Sequence, residues 1–255
     1  MSYRKKIWIS YILASLLVFG LVAFFPKASW LQAIDDGFRT FFYQWSSQKD
    51  YGVVVVEIDE KSFATLKTNP TFSAYHHVAW PWPPSLHAQL VGRLAEFGAD
   101  RIGFDLLFSE GYEQVYLPEY ASAGPLLEAF RKTGIPIVLA SKRDQELITE
   151  PRDVFLKAGF GSGLTNVPLS SIGDIRSFWF LQKGKKESFP LAIAQAEGGD
   201  KNLEALGWSK DKLSESQHLT FRGPDETGFP VLSYTDVILG KLPGSIQGRW
   251  EKPVF

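Results

Sequence analysis

The 255-residue chain contains no cysteine. That excludes a disulfide framework, a zinc–thiolate site and a thiol nucleophile, and leaves the redox compartment unread. Neither sign of charge is in excess: 27 basic against 28 acidic residues leave a net charge of -1 and a pI near 6.4. A broad basic field is therefore absent, and nucleic acid is not an expected partner. The chain also lacks a Ser/Gly linker, a low-complexity run and an internal repeat. What it has is apolar and aromatic residues, 45% and 15%, with 22% charged. That is the composition of a folded globular protein.

Residues 7–25 carry no charge, and twelve of them are Leu, Ile, Val or Phe. As a helix the run is about 28 Å long, close to the thickness of a bilayer core. Those twelve residues favour insertion by about 5 kcal/mol. Arg4, Lys5 and Lys6 precede the run, and only Lys27 follows closely. The positive-inside rule then leaves residues 1–6 in the cytoplasm, 7–25 across the membrane and 27–255 outside. A cleaved signal peptide is the rival reading. The apolar run is long for one, and Phe24-Phe25-Pro26-Lys27-Ala28 is a poor cleavage site. Either way the bulk of the chain is expected to be extracytoplasmic, and the uncleaved reading holds it at the cell (inner) membrane by one span.

Leu31, Ile34, Phe38, Phe41, Phe42 and Trp45 recur at helical spacing and predict an amphipathic helix after the span. Val53 to Asp59 is a dense β-branched run, expected as a strand buried on both faces. Glu60 to Leu66 reads as a short helix, and Asn69 to Pro84 as a loop. A helix follows with Ser85 as its N-cap, Leu86, Leu90, Val91 and Leu94 as its apolar stripe and Gly98 as its stop. Arg101 to Leu107 reads as a second strand. The strand–helix–strand order predicts that these first two strands form a parallel pair.

The pattern repeats: helix Pro125 to Lys132, stop Gly134, strand Ile135 to Ala140. Val154 to Ala158 reads as a helical turn, Arg176 to Gln182 as a strand and Phe189 to Ala196 as a helix. His218 to Phe221 reads as a strand and Tyr234 to Leu239 as a short helix. The sum is an α/β fold: a mostly parallel sheet with flanking helices, preceded by one transmembrane helix. Pro253-Val254-Phe255 reads as the start of one more strand, cut short.

Ligands of open parallel sheets bind beyond the carboxyl ends of the strands. Asp59 ends the first strand, and Asp105 lies late in the second, between Gly103-Phe104 and Leu106-Leu107-Phe108. Two readings stand for this pair. Both acids make a ligand or cation site, or both accept hydrogen bonds from loop and helix N–H groups. The segment Trp80-Pro81-Trp82-Pro83-Pro84 fixes two indoles on a stiff backbone. It reads as a stacking wall for a small ligand or as a packing plug. His76, His77 and His87 lack a metal-ligand spacing, so no metal site and no cofactor are expected. Gly159-Phe160-Gly161-Ser162-Gly163 matches no phosphate or nucleophile motif and reads as a turn.

Several stretches together resemble a known family. They are Asp36-Gly37-Phe38-Arg39, Val54 to Ser62, Trp80-Pro81-Trp82-Pro83 and Gly98 to Glu110, then Gly163 to Val167, Ser188 to Ala192 and Phe221 to Pro224. The chain resembles the extracytoplasmic CHASE sensor domain, second type, of bacterial receptors. The resemblance implies a sensory module fed by one N-terminal membrane helix and, in the family, coupled to a cytoplasmic output. Position 84 is Pro where the family often has a basic residue, so no anion contact is carried over there.

The expected function is therefore detection of a small-molecule or protein ligand by a membrane-bound receptor, as a homodimer, with Asp59, Trp80, Trp82 and Asp105 lining the site. One alternative is an anchored metal-dependent hydrolase using Asp59 and Asp105. Another is a non-signalling interaction protein of the envelope.

Overall fold

A computed structural model of the chain describes residues 53–109, 122–145, 147–168, 177–182, 186–196, 213, 216–218 and 229–242. The expected membrane span, the amphipathic segment after it and the final strand lie outside these residues. Among the described residues no helix is long and apolar enough to cross a membrane. The chain divides into two compact units, and the larger comprises 49–167, 178–217 and 228–255. The smaller falls almost wholly outside the described residues.

The first strand, β1 (Val55–Glu57), leads into helix α1 (Glu60–Thr68). Asp59 caps α1: its carboxylate accepts from the Ser62 N–H at 2.7 Å. A 3-10 turn, Pro70–Tyr75, follows where the sequence reads as loop. Helix α2 (Pro84–Glu96) starts at its own proline, with Pro83 at the N-cap and no side-chain cap bond. The expected cap, Ser85, lies inside the helix and instead accepts from the Tyr75 hydroxyl at 3.3 Å. Proline at the first helical position has its φ already set and lacks an N–H to satisfy, so it serves in place of a cap. The predicted stripe of Leu86, Leu90, Val91 and Leu94 is buried, and Gly98 takes the left-handed φ of 86° just beyond the helix end.

Strand β2 (Ile102–Phe104), helix α3 (Gly124–Thr133) and strand β3 (Ile137–Asp144) form a parallel strand–helix–strand unit, with Ile102 opposite Ile137. Gly134 ends α3 at φ 67°, its N–H donating to Phe130 at 2.9 Å. Strand β4 (Leu147–Thr149) folds back on β3 as a hairpin without a signature in the sequence. Helix α4 (Asp153–Lys157) then precedes β5 (Gly161–Leu164), which is parallel to the other side of β3.

Ser177–Trp179 (β6) and Ser216–His218 (β9) form a two-stranded sheet. Leu181–Gln182 (β7) and Lys186–Glu187 (β8) form an antiparallel pair. Helix α5 (Phe189–Gln195) packs across β5 and β3, and β10 (Val231–Ser233) runs into helix α6 (Tyr234–Ile238).

The mixed α/β architecture with parallel strands agrees with the sequence reading, but two expectations fail. The partner of β1 is β10, 176 positions away in register, and not β2. Local sequence sets that a segment is a strand and says nothing of which strand it meets. Nor is β1 buried on both faces. Val53, Val55 and Val231 are 48%, 42% and 57% exposed, while Val56 and Leu232 face the core.

Aromatic rings run through that core in an unbroken series of contacts. Phe63 meets Trp82 at 5.0 Å, Trp82 meets Tyr234 at 5.0 Å, and His87 meets Tyr234 at 5.7 Å and Phe108 at 5.3 Å. The series continues through Phe155 and Phe160 to Phe130. These inclined geometries are the ones aromatic quadrupoles prefer.

Candidate functional site

The residues around the end of β1 form one polar knot. Because β1 and β10 are parallel and in register at Glu57 and Ser233, the residues that follow both strands emerge side by side. Asp59 accepts from the Ser62 N–H and from the Ser233 hydroxyl at 2.9 Å. Ser62 and Ser233 share a hydroxyl–hydroxyl bond of 2.9 Å, and Ser62 accepts from the Thr235 N–H at 3.4 Å. Beside this knot, Lys61 pairs with Asp236. Burial pushes the Asp59 carboxyl up, but hydrogen bonds from Ser62 and Ser233 outweigh it and hold the group below its ordinary range.

Asp59 is thus a helix cap that also ties α1 to β10, the second of its two sequence readings. Its hydrogen bonds arrive at one oxygen, Oδ1.

The two tryptophans separate in role. Trp82 is fully buried between Phe63 and Tyr234, whereas Trp80 is 46% exposed and stands edge-on to Trp82 at 5.8 Å and to Phe63 at 6.1 Å. The Trp80–Pro81 peptide is cis. Phe63 lies on the helix that Asp59 caps, so Trp80, Phe63 and Trp82 share one corner with the polar knot. Trp80 offers the accessible indole face there, and Trp82 is the plug behind it.

Asp105 is exposed, at odds with the enclosed carboxylate its apolar neighbours suggest. It directly follows β2, where the side chains of Ile102 and Phe104 turn inward. Alternation puts residue 105 on the outward side. Among the described residues no hydrogen bond, ion pair or ring contact joins it to Asp59, Trp80 or Trp82. The histidines disperse as well: His76 bonds the Asn69 carbonyl at the surface, while His87 is buried against the Tyr234 hydroxyl at 2.9 Å. Burial lowers the His87 pKa to about 4, with the Trp82 backbone opposing it. Among the described residues no group of three His, Asp or Glu is placed to hold a metal ion.

A second polar cluster has no sequence signature. Glu150 accepts from Lys186 at 2.7 Å and from Ser141 at 2.7 Å, and Lys186 also reaches Ser162 at 3.2 Å. The four residues come from β3, β5, β8 and the segment after β4, so only the folded sheet assembles them. Burial raises the Glu150 carboxyl, but the hydrogen bonds from Lys186, Ser141 and Ser162 and the Lys186 charge reverse that and leave it lowered.

The glycine run read as a turn proves to be mostly strand β5. Only Gly159, at φ 98°, is a turn glycine. A Cβ on Gly163 would stand 2.6 Å from the Phe189 Cα, so its role is to let α5 approach the sheet.

The model of one family, the CHASE2 domain, matches residues 13–250. No curated protein and no solved structure matches the chain.

Proposed function

Since the chain belongs to the CHASE2 family of sensory domains, we propose that it is the extracytoplasmic detecting module of a membrane-bound bacterial receptor. The observation that carries this reading is the parallel pairing of β1 with β10. β1 follows the apolar N-terminal run, and β10 leads toward the C-terminus. The knot of Asp59, Ser62 and Ser233 locks the strands' continuations together. A ligand or protein partner bound at the Trp80 corner presses on α1 and α6, the helices that leave these two strands. It shifts their arrangement only as far as it binds one arrangement better than another. Two copies related as a homodimer would pass that shift across a bilayer as relative motion of two helices.

The hydrolase alternative is less well supported, because Asp59 is engaged as a cap and, among the described residues, no hydrogen bond joins it to Asp105. A phosphatase reporter fused behind Phe255 tests the proposal in cells. It is expected to be active, and a fluorescent protein at the same place is expected to be dark. The reverse pattern would overturn the receptor reading. Light scattering on the purified chain checks the dimer.

A further inference from the structure

We propose that the cleft between α3 and α4 is a binding site for a small organic acid, a carboxylate carried on an apolar body. The cleft has a volume of about 510 Å³ and is shallow, open to solvent over much of its extent. Leu127, Val154 and Ala158 give it apolar walls, and Arg131, Arg152 and Lys157 stand around it. Among the described residues that line the cleft there is one carboxylate, Asp153, and Arg152 is itself already engaged in an interaction. The site therefore matches an anion with an apolar part better than a neutral molecule or a compact inorganic ion.

The local sequence explains the arrangement. Leu127 and Arg131 are four residues apart on α3, so one helix face carries both floor and charge. Arg152 and Ala158 flank the short helix α4, which supplies Asp153, Val154 and Lys157. Asp153 is paired to Lys157 at 2.9 Å, with both side chains about three-quarters exposed. So exposed a pair is weak and yields Lys157 readily to a competing carboxylate. Arg131 is exposed and makes no ion pair among the described residues. Its planar guanidinium suits a two-oxygen acceptor.

The walls are fixed before any ligand arrives. Phe130, beside Arg131 on α3, packs on Phe160 at 4.5 Å, and Phe160 packs on Phe155 of α4 at 5.3 Å. Rings locked behind the cleft keep the two helices from closing it, and a preformed site costs less to fill.

The full-length chain in detergent is titrated with benzoate by ligand-observed NMR, alongside benzamide as the neutral isostere and inorganic phosphate as the compact anion. Benzoate is expected to bind at least about tenfold more tightly than either, the effect of one charge-assisted contact and of the apolar walls. Arg131→Glu is expected to weaken benzoate about tenfold or more, and Arg131→Gln to weaken it less, both at unchanged melting temperature. Added salt should weaken binding. Equal binding of benzamide, equal binding of phosphate, or unaltered affinity in both variants would overturn the proposal. So would the absence of benzoate binding at concentrations on the order of 10 mM. The readout is binding alone, so its failure leaves the receptor reading standing, and a misplaced fusion reporter leaves the cleft standing.

Discussion

The carboxylate of Asp59 and the hydroxyl of Ser233 lie 2.9 Å apart, although 174 positions separate them in the chain. The same oxygen caps α1, so one atom serves both a local and a distant purpose. Asp59→Ala is expected to cost about 2 kcal/mol, a cap together with a hydrogen bond to a charged group. Ser233→Ala should cost about 1 kcal/mol. Because the two share a bond, urea unfolding of the double variant should show a coupling of at least about 0.5 kcal/mol. Simple additivity would mean that the cap and the tie act independently.

His87 makes stability depend on pH in a definite window. Its pKa falls from 6.5 to about 4 in the folded chain because burial disfavours the cation. The unfolded chain therefore binds the extra proton first as pH drops. Stability is full above about 6.5 and declines toward 4, by about 3 kcal/mol at the end of that range. His87→Phe should flatten melting temperature against pH over this window. Glu150 acts lower down: its lowered pKa gives stability that is present above 4.5 and lost as pH falls below it. Glu150→Gln should leave the profile between 6.5 and 4.5 unchanged.

The two tryptophans should respond to truncation with losses of very different size. Trp82→Ala empties a fully buried site among Phe63, Trp80 and Tyr234, and a loss of about 3 to 5 kcal/mol is expected. Trp80→Ala removes a half-exposed ring and should cost about 1 kcal/mol. Chemical denaturation measures both. If Trp80 is a ligand contact, its variant keeps the fold and loses the response of the assembled receptor.

Gly163→Ala is expected to destabilise by about 1 to 3 kcal/mol, because the new methyl would meet the backbone of Phe189 and Ser188 rather than a movable side chain. Gly92→Ala, inside α2 at a half-buried position with open space around its Cβ position, should stabilise by about 0.5 to 1 kcal/mol. Thermal melts of the two variants should therefore move in opposite directions.

Much of the fold is legible along the chain. The Leu86–Leu94 stripe and Gly98 announced α2, Gly134 closed α3 as its position suggested, and the β-branched run before Asp59 became β1. The WPWP segment stood out as a constraint on two indoles before the structure showed one of them buried. Less of the candidate site was legible. The exposure of Asp105 is not legible in the sequence, because apolar neighbours in sequence alternate outward and inward on a strand. Nor is the Glu150–Lys186 cluster, because its members come from four separate segments. The glycine run misled, since the same residue serves a turn at Gly159 and a close approach at Gly163.

Periodicity, capping chemistry and the sequence of motifs thus determined most of the helices, several of the strands and which family the chain belongs to, because those are properties of neighbours a few residues apart. Tertiary structure alone decided that β1 lies beside β10, that Asp59 reaches Ser233, and that Arg131 faces the helix carrying Lys157. Such contacts depend on how distant segments meet to bury apolar surface, and that is decided by the whole chain at once.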